Sequence, residues 1–92
     1  MSAAIVLPAV LDIQQAAALR AQLLAARGGP VTLDASAVER LGALCLQVLL
    51  AAQQTWATDG AAIAITPTSD AFVQQWAAFG APLSNLGWGE SA

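Results

Sequence analysis

The chain has 92 residues, enough for one small domain, and 58% of them are hydrophobic. That excess over the ordinary share argues against disorder and leaves apolar surface to spare for a partner. Three arginines, no lysine and six acidic residues give a net charge of −3, which excludes a phosphate-neutralising basic face and with it nucleic-acid binding.

The N-terminal MSAAIVLPAVLD has no positive region ahead of its apolar stretch, so no signal peptide is expected. Ala4-Ile5-Val6-Leu7 reads as a strand closed by Pro8, and Ala9-Val10-Leu11 as a second short one. Asp12, with Gln15 three residues on, has the form of a capping box. The helix that follows places Ile13, Ala16, Ala17, Leu23 and Leu24 broadly on one face, and Gln14, Gln15, Arg20 and Gln22 elsewhere. Arg27 and Gly28-Gly29-Pro30 end it.

Val31-Thr32-Leu33 reads as a central strand ending at Asp34, and residues 35–41 as turn and loop. A second helix is expected from about Gly42 or Ala43 to Thr58, closed by Asp59-Gly60. Its apolar run, Leu41 to Ala52 broken at Gln47, falls short of the roughly 20 residues of a membrane span. A third clear strand, Ala62 to Ile65, leads through Thr66-Pro67-Thr68-Ser69 to a helix from Asp70 to about Phe79. Thr68 or Ser69 caps it, and Gly80 and Pro82 stop it. Leu83 to Leu86 is a candidate last strand, and Trp88 lies in the tail. Strands alternating with helices give an α/β fold, one domain over residues 1–92 (core 4–86, tail 87–92), with about four or five strands in a mixed sheet and about three helices.

The catalytic inventory is short. Histidine, lysine and tyrosine are absent, which removes the commonest general base, the Schiff-base amine and the phenolic acid. No metal-ligand spacing and no phosphate loop is present, so no metal, cofactor or catalytic residue is expected. Cys45 is the single cysteine, so the chain can form no internal disulfide, which fits a reducing cytoplasm. Flanked by Leu44 and Leu46, it reads as a core thiol. Asp34 and Glu39 flank one loop, where an aspartate commonly holds the turn and a glutamate is solvated.

The stretch VTLDASAVERLGALCLQVLL, residues 31–50, resembles the core of STAS domains, the family of bacterial anti-sigma factor antagonists. There a strand ends in Asp or Asn, and after a loop a signature of the form D-[ST]-[SA]-G-L-x-x-L-L opens a helix. The resemblance sets the signature's Asp on Gly42 and its phosphorylatable Ser or Thr on Ala43. Its next small residue falls on Leu44, its Gly on Cys45, and its leucines on Leu46, Leu49 and Leu50. DGAAIAITPTSDAFVQQWAAFGAPLSNL is similar to the family's following strand, helix and last strand. Little chain remains after Leu86 for the family's final helix.

Ala43 has no hydroxyl and Gly42 no carboxylate, so the family's covalent switch is missing from its usual place; Ser36 is a weak substitute. On the family fold, Leu46, Leu49 and Leu50 face the sheet. Gly42, Ala43, Leu44, Gln47, Val48, Ala51 and Gln54 then form an uncharged partner-binding surface. Trp56 and Trp76 fall at core spacing. The resemblance implies a cytoplasmic, non-catalytic module of a bacterial signalling system, binding a kinase-like ATPase, a phosphatase or a chemotaxis component. The alternative is a small subunit contacting the ATPase of an ABC phospholipid-transport complex. A homodimer through the same surface is a further expectation to test.

Overall fold

In a computed structural model, which describes residues 3–81, each short run of β-favouring residues becomes a strand and each run of good helix formers a helix. The order is β1 (Ala3–Val6), β2 (Val10–Leu11), α1 (Ile13–Ala26), β3 (Val31–Ala35), β4 (Arg40–Leu41), α2 (Ala43–Asp59), β5 (Ile63–Thr68) and α3 (Asp70–Ala78). The expected strand at Leu83 to Leu86, and Trp88 in the tail, lie outside the described residues.

The α/β class stands, with five strands and three helices among the described residues. The strands divide into two parallel ladders, β1-β3-β5 and β2-β4. In the larger ladder Ala4, Thr32 and Ala64 lie in one row and Ile5, Leu33 and Ile65 in the next. Side chains alternate between faces along a strand, so the second row is buried while Ala4 and Thr32 are exposed. Between Leu33 and Ala35 the register with β5 shifts, β5 carrying one extra residue.

Both crossovers, β1 to β3 through α1 and β3 to β5 through α2, step the same way across the sheet. Parallel crossovers share one hand, so the two helices belong on one face. They pack against each other there, over a core that includes Leu19, Leu23, Leu49 and Trp56. Trp56 also donates its Nε1–H to the carbonyl of Gly29 at 2.8 Å, fixing α2 to the turn after α1. At the chain ends of the two helices, Arg27 and Asp59 form a two-point ion pair (2.8 and 3.0 Å). The third helix lies beside β4, with Phe72 and Trp76 buried and their rings 5.5 Å apart.

Three expectations need correction. The buried face of α1 is Leu19 and Leu23, with Ala16 and Ala26 partly covered; Ile13 is 70% exposed, Leu24 52%, and Ala17 is exposed too. At about 100° per residue, Ile13, Ala17 and Leu24 share a stripe roughly a third of a turn away from the one that faces the core. Residues 35–41 are not all loop, because Arg40 and Leu41 pair with Val10 and Leu11. On α2, Leu50 is only half-buried, and Cys45, Ala52 and Trp56 join Leu46 and Leu49 against the sheet. The remaining caps fall as expected. Asp12 Oδ1 accepts from the N–H groups of Gln14 and Gln15 (3.1 and 3.3 Å), Gln15 contributing its backbone rather than its side chain. Ser69 caps α3 through the N–H of Phe72.

Candidate functional site

The outward ridge of α2 follows from helical period. Ala43, Leu44, Gln47, Ala51 and Gln54 are exposed, Val48 is half-buried, and Gly42, the N-cap, is half-buried. The seven residues expected at a partner-binding surface therefore lie together on one element. No acidic or basic residue falls between Ala43 and Thr58.

The start of α2 is built from backbone. Gly42 sits in extended conformation and gives the helix no side-chain cap. Its N–H donates to the carbonyl of Leu11 at 2.8 Å, and its carbonyl accepts from Leu46 at 3.0 Å. A Cβ on residue 42 would stand 2.9 Å from the Leu11 carbonyl oxygen, closer than such atoms approach in folded chains. Glycine at this position is therefore a packing requirement, and the carboxylate that the resemblance puts here has no room in this backbone.

The loop leading into α2 is held from three directions. Glu39 and Arg40 donate their N–H groups to the carbonyl of Ala9 (2.7 and 3.1 Å). The Ser69 hydroxyl donates to the Val38 carbonyl while accepting the α3 cap bond. Gln75 supplies both halves of an amide: its Oε1 accepts from Leu41 N–H at 2.7 Å, and its Nε2 donates to the Glu39 carbonyl at 2.8 Å. This clamp escapes sequence reasoning, although a lone glutamine beside Trp76 on an otherwise apolar helix face is the signal that was available.

The groups with chemical potential are quiet. The Cys45 side chain is fully buried and its thiol donates to the Asp12 carbonyl at 3.3 Å. Burial pushes the thiol pKa up, and the negative charge of Asp12 adds to the shift, the reverse of what a reactive thiolate needs. Asp34 Oδ1 accepts from the hydroxyl and the backbone N–H of Ser36 (2.6 and 2.9 Å), which holds its pKa below the usual carboxylate value. Asp34 thus fastens its own turn, as expected, and Ser36 has its hydroxyl engaged. Among the described residues, no three His, Cys, Asp or Glu side chains are grouped to hold a metal ion, and no helix is long and apolar enough to cross a membrane.

Two shallow grooves flank the α2 ridge. On the β5 side, Gln47, Gln53 and Gln54 line one with Leu50 and Ile63. On the α1 side the lining is mostly aliphatic, with Arg20 its only charged group. Along this surface the described side chains are mainly small, aliphatic or amide-bearing.

The family model described as "Mlab, STAS domain" matches residues 2–81. No curated protein and no solved structure matches the chain significantly. The chain belongs to the STAS domain family, whose members are in general non-catalytic regulatory or protein-interaction modules.

Proposed function

We propose that this STAS domain is a docking module whose contact surface is the start and outward ridge of α2, and that it works without being phosphorylated there. The observation that supports it is the ridge itself: Ala43, Leu44, Gln47, Ala51 and Gln54 are exposed in one uncharged strip at the position from which the family's switch acts. In STAS partner switches, phosphorylation at the Ala43 position adds a charge of about −1.5 to −2 and disrupts docking. Alanine keeps the surface permanently in its unmodified form. The partner in this reading is a cytoplasmic kinase-like ATPase, a phosphatase or a chemotaxis component of a bacterial signalling system.

A second reading is favoured by the name carried by the matching family, Mlab. In it the chain is a small subunit that contacts the ATPase of an ABC phospholipid-transport complex, and the contact is structural. The signature threonine usual in that group is Ala43 here, which counts against it.

Affinity capture from lysate of the native organism, with partners identified by mass spectrometry, separates the two. A signalling ATPase, phosphatase or chemotaxis protein supports the first reading, and an ABC ATPase the second. Self-association alone overturns both. Gln47→Glu and Ala51→Glu, on exposed positions, are expected to abolish capture while leaving the circular dichroism spectrum unchanged; capture that survives both substitutions moves the docking surface elsewhere. Ala43→Glu supplies the missing negative charge, and loss of capture on that variant shows that the family's electrostatic logic still operates at this helix start.

A further inference from the structure

The α1 flank of α2 differs from the rest of the surface. A groove of about 420 Å³ runs between the two helices. Its floor is closed by Leu23, Ala52 and Trp56, all buried. Leu24 on α1 and Leu44 on α2 line it as well, and both expose a large fraction of their surface. From Leu44 to Thr55 the groove follows α2 for roughly 16 Å, about three helical turns. Small side chains at Ala16 and Ala51 let another backbone come close, as packing of helices at about 8–10 Å requires.

Charge selects the occupant. Arg20 is exposed, lines this groove, and is the only ionisable group that does. The other charged pair of the helical layer, Arg27 with Asp59, is already matched. A second copy offering the same surface would bring arginine and no carboxylate to Arg20, so self-pairing leaves it unmatched. One arginine is also too little to hold an anionic membrane. An aliphatic stripe bordered by an acidic side chain satisfies both features.

Resting on the docking reading, and extending it from α2 onto α1, we propose that the α1–α2 groove receives an amphipathic helix of a protein partner. Its apolar face lies between Leu24 and Leu44, and a carboxylate on its border meets Arg20. The partner helix completes a three-helix layer over the sheet, with Val48 at the centre of the contact and Arg20 at the rim.

The test uses the full chain, ¹⁵N-labelled, titrated with a helical peptide bearing a leucine stripe bordered by glutamates, and with its counterpart bearing lysines instead. The glutamate peptide is expected to shift the resonances of Arg20, Leu24, Leu44 and Val48 and to bind at least about fivefold more tightly than the lysine peptide. Arg20→Glu is expected to reverse that preference, while Arg40→Glu leaves it unchanged. Binding of neither peptide overturns the proposal, as does equal binding of both. Shifts centred on Gln53, Gln54 and Ile63, or sedimentation showing a dimer that buries this groove, overturn it too. With the partner captured as above, loss on Gln47→Glu but not on Leu24→Asp or Arg20→Glu leaves the α2 docking surface standing and rejects the groove. Indifference to all of these substitutions rejects both.

Discussion

The helices of this domain begin in two different ways. The first and third start on side-chain caps: Asp12 receives the N–H groups of Gln14 and Gln15, and Ser69 that of Phe72. The second, the one that carries the candidate docking ridge, starts on Gly42 with no side-chain cap at all. What holds it is the Leu11 carbonyl of the neighbouring β2. A side-chain cap is a local device that satisfies orphan N–H groups and tolerates small shifts of the chain. Close backbone contact is a long-range device that tolerates none. The start of α2 is thus fastened by main chain to a strand distant in sequence, where the other two helix starts are fastened by their own neighbours.

The sharpest way to break that contrast is Gly42→Ala. An added methyl meets backbone oxygen and not a flexible side chain, so a loss of roughly 1–3 kcal/mol is expected in urea denaturation. A loss below the scatter of surface substitutions would show that β2 yields and the contact is soft. Ser69→Ala comes next, at about 1–2 kcal/mol, because one hydroxyl both caps α3 and donates to the Val38 carbonyl. Its effect should exceed that of Asp12→Ala, roughly 0.5–1 kcal/mol at an exposed cap; the reverse order in the same assay would contradict the ranking of half-buried over exposed caps.

The smallest effect concerns acid. Asp34 and Asp59 both have folded-state pKa values below the ordinary 3.8, the first through Ser36 and the second through Arg27. Depressed carboxylates favour the folded state above the ordinary value, and that contribution disappears as pH falls through the folded value. Stability should therefore decline as pH falls from just above 3.8 to below it, and Ser36→Ala should make the decline shallower by lowering stability at neutral pH while leaving the acid end nearly unchanged. An unchanged acid limb in that variant would remove the Asp34–Ser36 turn from the account.

Much of this was legible in the sequence, for reasons that differ by element. Asp12, Ser69 and Asp59-Gly60 are short-range signals, so the bounds of the three helices followed from neighbours in the chain. The exposed set on α2 followed from the resemblance, which turned Leu46, Leu49 and Leu50 to the sheet, and helical period then placed Gln47, Ala51 and Gln54 outward. Leu24 and Ile13 were misplaced because α1 is rich in alanine, and alanine does not mark which side of a helix is inside. β4 has only two residues, too few for alternation to register. The constraint on Gly42 and the grip of Gln75 depend on Leu11, Glu39 and Leu41, which are brought to them by the fold and not by sequence proximity.

The grip of Gln75 also closes a strand edge. An unpaired strand edge offers alternating N–H and C=O groups, and such an edge recruits strands from other chains. By giving one acceptor and one donor to the outer side of β4, the Gln75 side chain behaves like one residue of an additional strand, ending the ladder with a group that cannot propagate it. Gln75→Leu would keep much of the bulk and remove the seal, leaving two main-chain positions next to an apolar helix open to intermolecular pairing.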